Sequence, residues 1–134
     1  MAGQIGETVR RYVNLPTHSA TLPFSDGVQV GNTLYLSGRI GIDPTTGAVP
    51  ADLDHELKLL FDGCKAVLNQ AGMTFDDLVS VQIFSSDLSL WDRFNTEYLK
   101  HFSKDRLPAR AFLGSALLAR GRFEIMGIAV KNGS

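Results

Sequence analysis

The last long apolar stretch, from Leu107 to Val130, constrains the fold more than any other part of the chain. Pro108 at its start disfavours a helix, because proline lacks a backbone N–H and restricts the residue before it. The pair Arg120-Gly121 divides the stretch, and short apolar runs bounded by such breaks are typical of strands. The pattern therefore predicts two strands of about eight residues each that meet at a tight turn.

Two charged residues lie inside these predicted strands, Arg110 in the first and Glu124 in the second. A charge on an apolar sheet needs an opposite charge, a hydrogen-bond partner or a water-filled cavity, because burying it alone is costly. Arg110 can clamp a substrate carboxylate, or it can pair with an acid of a neighbouring subunit. Glu124 can act as a general acid–base group, or it can merely neutralise an arginine. A cavity holding both charges would be a small-molecule site, and this is the hypothesis that we carry forward.

The composition is that of one ordinary globular domain. The 134 residues, 44% of them hydrophobic, fit a single domain over residues 1–134 with residues 1–8 as a flexible tail. A formal net charge of −1 without a basic run argues against a nucleic-acid partner. No apolar stretch approaches the roughly 20 residues of a membrane helix, no secretory signal is visible, and the single cysteine, Cys64, cannot form an internal disulfide. We therefore expect a cytoplasmic protein without a membrane partner.

The remaining sequence alternates between strand and helix patterns. Period-two patterns predict strands over residues 10–14, 28–30, 33–38 and 79–83. An apolar period of three and four residues predicts a helix over residues 52–71, with Asp52 as its N-cap and Gly72 at its end. Ser89 with Asp92 is predicted to cap a second helix. With the two C-terminal strands, this order predicts an α+β fold with roughly six strands.

The last predicted strand is apolar on both faces. Phe123 and Ile125 point one way, and Met126, Ile128 and Val130 point the other way. Two helices can cover only one face of the sheet, and monomers rarely expose an apolar face of several hundred Å². We therefore predict that the second face is buried against other copies of the chain in a homo-oligomer.

Other candidate residues fit structural roles better than chemical ones. Cys64, on the apolar face of the first helix, is expected to be a small buried hydrophobe. His18, His55 and His101 lack metal-ligand spacing and are expected at the surface or in caps. A stripe at helical period in the second helix is expected to pack in the core. It consists of Trp91, Phe94, Tyr98 and Phe102. Asn95 beside this stripe can bond a buried backbone group or contact a ligand, and the sequence favours the former.

Several motifs of the chain occur together in one known family. They are Gly38-Arg39-Ile40-Gly41, Asp43-Pro44-Thr45-Thr46-Gly47, Pro108-Ala109-Arg110, Phe123-Glu124-Ile125 and Ile128-Ala129-Val130. With these motifs the chain resembles, from about Pro23 to Val130, the Rid (YjgF/RidA) family of reactive intermediate deaminases, members of which also carry the label endoribonuclease L-PSP. The resemblance implies a chorismate-mutase-like α+β fold with a six-stranded, mostly antiparallel sheet and two helices on one face. It also implies a homotrimeric barrel with active sites between subunits.

The activity that the resemblance implies is hydrolysis of 2-enamine and 2-imino acids to 2-oxo acids and ammonia, without metal or organic cofactor. Arg110 matches the family's carboxylate-binding arginine, and Glu124 matches the glutamate that positions or activates water. Ser37 matches a serine that lines the pocket, and Asn95 an asparagine that shapes the cleft.

Two positions depart from the family's usual pattern. Phe24 stands where the enzymatic branch often has tyrosine, which removes a hydroxyl from the pocket. Phe112 stands where it often has cysteine, which reshapes the pocket wall but leaves the backbone carbonyl to accept an N–H from the substrate imine. These two substitutions leave the arginine and the carboxylate in place and put the usual substrate in question.

Two other functions compete with the deaminase hypothesis. The same cleft can bind a small carboxylate through Arg110 without turnover, and a non-catalytic regulatory trimer would result. Ribonuclease activity is the other alternative, but the chain offers neither a basic stripe nor a histidine pair for phosphodiester chemistry.

Overall fold

The structure, a computed structural model, describes residues 9–131, so the predicted tail at residues 1–8 lies outside the described residues. Within that range the chain forms six strands and two α-helices. In chain order they are β1 (Arg10–Val13), β2 (Gly27–Val30), β3 (Thr33–Ile40), α1 (Leu53–Gln70), β4 (Leu78–Ser85), α2 (Trp91–Tyr98), β5 (Ala109–Gly114) and β6 (Phe123–Val130). None of the helices in residues 9–131 is both long and apolar enough to cross a bilayer.

All six strands belong to one sheet in the order β1-β2-β3-β6-β4-β5. Every pair is antiparallel except β4 and β5, which run parallel and are joined through α2. The predicted α+β class and the mostly antiparallel six-stranded sheet are therefore confirmed.

The predicted hairpin between the last two strands is wrong. β4 lies between β5 and β6 and pairs with both of them. The connection contains a 3₁₀ turn at Leu118–Arg120 with two positive-φ residues, and it carries the chain around the end of β4. The Ser115 N–H donates to the Ser85 carbonyl, and the Ser86 N–H donates to the Arg122 carbonyl. The end of β4 is thus bonded to both arms of the connection, an insertion that the local sequence of residues 107–130 does not reveal.

Helix α1 follows its prediction closely. The Asp52 carboxylate accepts the His55 N–H at 3.0 Å, which satisfies one of the free donors at the helix start. Gly72, with a φ of 74°, supplies the left-handed conformation just beyond the end of the helix. The face that packs on the sheet contains Leu57, Leu60, Phe61, Cys64, Val67 and Leu68.

The start of the second helix differs from its prediction. Asp87, rather than Ser89 with Asp92, caps the preceding 3₁₀ turn, and its carboxylate accepts the Ser89 N–H at 2.9 Å. The α-helix ends at Tyr98 and continues as a 3₁₀ turn to His101. Of the predicted aromatic stripe Phe94, Tyr98 and Phe102 are buried, whereas Trp91 is 47% exposed.

Both helices pack on the same face of the sheet. Phe94 of α2 contacts Phe61 of α1 and Phe123 of β6, with ring centroids 5.7 and 4.8 Å apart. On β6, Phe123 and Ile125 enter this core as predicted. The opposite face of the sheet carries large exposed apolar side chains. They are Tyr35, Leu113, Met126 and Val130, each between 37% and 51% exposed.

Candidate functional site

Arg110 leaves β5, one of the two edge strands of the sheet, on the helix side. One of its terminal nitrogens (Nη1) donates to Asn95 Oδ1 at 2.7 Å. The guanidinium carbon also lies 4.6 Å from the ring centroid of Tyr98 and 5.0 Å from that of Trp91, distances typical of cation–π contacts. Among residues 9–131 no carboxylate pairs with Arg110. The side chain is therefore held in place while most of its five N–H donors stay available.

A cavity of about 240 Å³ lies beside the Arg110 guanidinium. Its lining is Asn95, Tyr98, Leu99, Leu107, Pro108 and Arg110. The Tyr98 hydroxyl is buried and has no hydrogen-bond partner among the described residues. Burial raises the pKa of Tyr98, and the positive charge of Arg110 opposes that rise. A neutral phenol and a fixed guanidinium therefore face the same small, otherwise apolar space.

Phe112 lies two residues further along β5, on the same face as Arg110. Its ring meets those of Trp91 and Phe94 edge to face, with centroids 5.1 and 5.6 Å apart. The Arg110 guanidinium carbon is 5.9 Å from the Phe112 centroid. The phenyl ring therefore forms one wall of the aromatic enclosure around the guanidinium.

Glu124 lies in a second and larger cavity, of about 580 Å³. Its carboxylate makes no hydrogen bond or ion pair with the described residues. Gly38 on the neighbouring strand leaves the space that this carboxylate occupies, because a Cβ at Gly38 would collide with Glu124 Oε2. A side chain at that position would displace the acid.

The same cavity contains two other predicted site residues. Ser37 Oγ donates to the Ser25 carbonyl at 2.6 Å, and its backbone lies next to Gly38. Phe24 is 48% exposed at the cavity wall, with its ring edge-on to His18 at 6.1 Å. The structure thus places Glu124, Ser37 and Phe24 around one cavity.

The predicted site residues therefore form two separate groups within one chain. Arg110 is level with Val81, a core residue of β4, so it points to the helix side. Glu124 is next to Ile125, which enters the core, so Glu124 points to the opposite face. Arg110, Asn95 and Phe112 lie on the helix side of the sheet, whereas the Glu124 side chain leaves its opposite face. One chain alone does not bring the guanidinium and the carboxylate together.

Sequence reasoning missed a cluster of charged residues in the Glu124 cavity. His18 Nδ1 lies 2.9 Å from Asp26 Oδ1, and an Arg39 nitrogen (Nη2) lies 3.9 Å from the same oxygen. The side chains of His18 and Asp26 are about 10% exposed, so the expectation that His18 is a surface residue is wrong. His18 and Asp26 lie in one long loop without a recognised motif, and no local sequence pattern pairs them.

Two other predictions about titratable residues have different outcomes. His101 is stacked on Phe61, with centroids 4.4 Å apart and rings 3° from parallel, and its side chain is 23% exposed, so it lies at the edge of the core. Cys64 is fully buried as predicted, and burial raises the pKa of its thiol to about 12. A thiol with that pKa is not a nucleophile at neutral pH.

The geometry of the two groups defines the chemistry that they can support. An arginine held by an amide and aromatic rings, with free N–H groups, can bind a carboxylate. A carboxylate without protein partners, in a cavity large enough for water and a small molecule, can accept a proton from water. The described residues thus offer one group that can bind a carboxylate and one group that can accept a proton.

Comparison with known proteins identifies relatives over most of the chain. The family model described as Endoribonuclease L-PSP matches residues 16–131. A mouse protein named 2-iminobutanoate/2-iminopropanoate deaminase is 34% identical over 126 residues, which cover 92% of this chain and 93% of the mouse protein. The RutC family protein SSO3206 of Saccharolobus solfataricus is 38% identical over 82% of this chain and 88% of its own length.

Solved structures show the same fold. The crystal structure of YyfA, a protein of the conserved Rid family from Yersinia pestis, superposes with a TM-score of 0.84 at 30% identity, over 92% of this chain and all of the other. The sequence comparisons and the structure comparison thus match the same region of the chain, and this region contains both groups of candidate residues. The chain belongs to the endoribonuclease L-PSP family, which is the YjgF/RidA family.

Proposed function

We propose that the protein hydrolyses reactive 2-imino acids and their 2-enamine tautomers to 2-oxo acids and ammonia, in the cytoplasm and without a metal or organic cofactor. A relative that is 34% identical over nearly the whole chain is named for this activity. The observation that carries the proposal is the pair of unneutralised charges, the Arg110 guanidinium and the Glu124 carboxylate, each beside its own cavity.

Arg110 binds the carboxylate of the substrate. Its N–H groups form parallel hydrogen bonds to a carboxylate, and the charge of the guanidinium is permanent. The Asn95 hydrogen bond and the rings of Trp91 and Tyr98 fix the guanidinium in advance. Because the ligand then has to order less of the protein, orientation of the imine carbon costs less free energy.

Glu124 takes a proton from the attacking water. A positioned general base accelerates such a step by about 10² to 10⁴. Ser37 and Phe24 shape the cavity in which the water and the substrate lie, and Phe24 supplies apolar surface in place of the tyrosine hydroxyl usual in the family. The Phe112 backbone carbonyl accepts an N–H of the imine.

The complete site forms between subunits of a homotrimer. Arg110 and Glu124 leave opposite faces of one sheet, so a site that uses both needs the Arg110 face of one chain against the Glu124 face of the next. The exposed apolar side chains of the uncovered sheet face supply the surface that subunits bury. A chorismate-mutase-like barrel, with three sheets around a common axis, satisfies both requirements.

The test is the release of ammonia and 2-oxo acid from 2-imino acids that an amino acid oxidase generates in the assay. We expect the wild type to accelerate hydrolysis over the uncatalysed rate. Arg110→Ala is expected to raise KM and lower kcat/KM, and Glu124→Gln is expected to lower kcat by about 10²-fold or more. Arg11→Ala is the matched control, since Arg11 is exposed and bonds only Gln29 among the described residues.

A non-catalytic carboxylate-binding trimer is the second candidate. It is favoured by the bulk of Phe112, whose ring fills the wall beside Arg110 where a cysteine would leave room. In that case 2-oxo acids bind to the wild type and not to Arg110→Ala, while imine hydrolysis proceeds at the uncatalysed rate with either protein. RNA cleavage, which the description of the family model names, would be supported only by nuclease activity that is lost in Glu124→Gln.

A further inference from the structure

We propose that His18 is a second proton-transfer group of the Glu124 cavity and that it protonates the amine nitrogen as ammonia leaves. The inference rests on the proposed function and adds to it a residue outside the motifs that relate this chain to its family. His18 lines the same cavity as Glu124. Its ring is held by a buried carboxylate on one side and is free on the other.

Asp26 fixes the orientation of the imidazole. The Asp26 side chain is 9% exposed, and its Oδ1 accepts the His18 Nδ1–H at 2.9 Å. Its other oxygen, Oδ2, accepts the Leu15 N–H at 2.9 Å, and the Asp26 N–H donates to Asn14 Oδ1 at 2.9 Å. A carboxylate held at both oxygens selects the tautomer in which His18 Nδ1 carries hydrogen.

The other ring nitrogen, Nε2, is directed away from this network. It makes no hydrogen bond to the described residues. Every other buried side-chain polar atom of residues 9–131 has a hydrogen-bond partner, the Tyr98 hydroxyl being the one exception. Because His18 Nε2 has no partner, it is not one of these buried atoms. His18 Nε2 is therefore in contact with solvent, and because His18 lines the cavity, that nitrogen is available to a water or ligand there.

Four charged side chains besides His18 line the cavity. Asp26 belongs to the same loop, Arg39 to β3, Asp62 to α1 and Glu124 to β6. Arg39 lies 3.9 Å from Asp26, and Asp62 is bonded to Lys58 Nζ at 2.8 Å. Glu124 thus remains the one carboxylate of this lining without a cationic partner among the described residues, and a protonated His18 would complement it across the cavity.

Imine hydrolysis needs a proton donor as well as a base. When water attacks the iminium carbon, Glu124 takes one proton from the water, the C–O bond forms and the C=N π electrons move to nitrogen. The resulting carbinolamine has a neutral NH₂, which leaves only after it gains a proton. Protonated His18 gives that proton, the C–N bond breaks with its electron pair on nitrogen, and the hydroxyl proton returns to His18 as the C=O bond forms. Glu124 then gives its proton to ammonia, so the products are a 2-oxo carboxylate and ammonium.

The discriminating variant is His18→Asn. The asparagine amide can donate to Asp26 as Nδ1 does, but it has no group at the position of Nε2 and does not titrate. We expect kcat to fall by about 10²-fold with little change in KM. His55→Asn, which removes a histidine whose side chain is 46% exposed, is the matched control.

A second measurement keeps the inference testable if His18→Asn perturbs the fold. In His18→Gly, imidazole added to the buffer is expected to restore part of kcat, and a non-titrating azole at the same pH is not. An active wild type whose His18→Asn variant keeps the wild-type kcat would overturn the role of His18 and leave the proposed function intact. A wild type that does not accelerate hydrolysis would overturn both.

Discussion

The position of Arg110 depends on side chains of the neighbouring helix α2. Within the described residues, the guanidinium of Arg110 makes one hydrogen bond, which Asn95 Oδ1 accepts at 2.7 Å. The sequence favoured a backbone-bonding role for Asn95, because an asparagine beside an aromatic stripe is commonly satisfied by the main chain. The structure assigns it to the guanidinium instead. Asn95 reaches Arg110 because the β4-α2-β5 crossover places these two residues at one edge of the sheet.

Substitutions of Asn95 test this dependence. Asn95→Ala removes the anchor, and we expect the Kd for a 2-oxo carboxylate to rise about tenfold, equivalent to about 1.4 kcal/mol. Asn95→Asp keeps the shape but places a negative charge 2.7 Å from the guanidinium, so it is expected to weaken binding further by competing with the ligand. Titration calorimetry gives both values.

Thr96→Ala is the control for Asn95, because Thr96 is the exposed neighbour that bonds only the Asp92 carbonyl on its own helix. We expect its Kd to match that of the wild type. If Asn95→Asp binds the ligand as tightly as the wild type does, the group at position 95 does not influence ligand binding by Arg110.

At the scale of elements, the sequence predicted each helix and strand but not their order in the sheet. Helix α1 was predictable because six buried apolar positions recur at helical spacing and Asp52 and Gly72 mark its ends. The insertion of β6 between β3 and β4 was not, because strand pairing between distant segments leaves no local pattern. For the same reason Arg110 and Glu124 were predictable as candidates, while their opposite orientations were not.

A buried ion pair joins α1 to the start of β6. Glu56 is fully buried, and its carboxylate accepts the Arg122 backbone N–H at 2.7 Å and the Arg122 Nε–H at 2.5 Å. Arg122 also donates to the carbonyls of Pro50 and Ala51. These bonds tie the end of the unusual β5–β6 connection to the helix, two residues before Glu124.

Glu56→Ala should destabilise this connection strongly. Removing one partner of a buried pair leaves the other charge and a backbone N–H without their acceptor, and we expect the free energy of unfolding to fall by about 3 kcal/mol. Urea denaturation at one fixed protein concentration measures the difference. Lys58→Ala is the control from the same helix. Its exposed pair with Asp62 should contribute little to the free energy of unfolding, and equal losses in the two variants would contradict this account.

For the whole molecule, the arrangement of charges and the exposed sheet face lead to the same requirement. The uncovered face carries Tyr35, Leu113, Met126 and Val130, and a sheet face of this kind is normally buried in a partner. A cyclic assembly repeats one heterologous contact, so it can place the Arg110 face of each chain against the Glu124 face of the next. We expect light scattering to give the mass of a trimer and Val130→Asp, which charges that face, to shift it toward the monomer.

Complementation between inactive variants tests whether each site is built by two chains. Arg110→Ala and Glu124→Gln, each expected to have a kcat/KM far below that of the wild type, are unfolded, mixed in equal amounts and refolded together. If a site takes Arg110 from one chain and Glu124 from the next, about a quarter of the contacts in random trimers combine both intact residues. Activity should then return to about a quarter of that of refolded wild type. If both residues of a site came from one chain, no mixed trimer would contain an intact site, and the mixture would stay as inactive as its components.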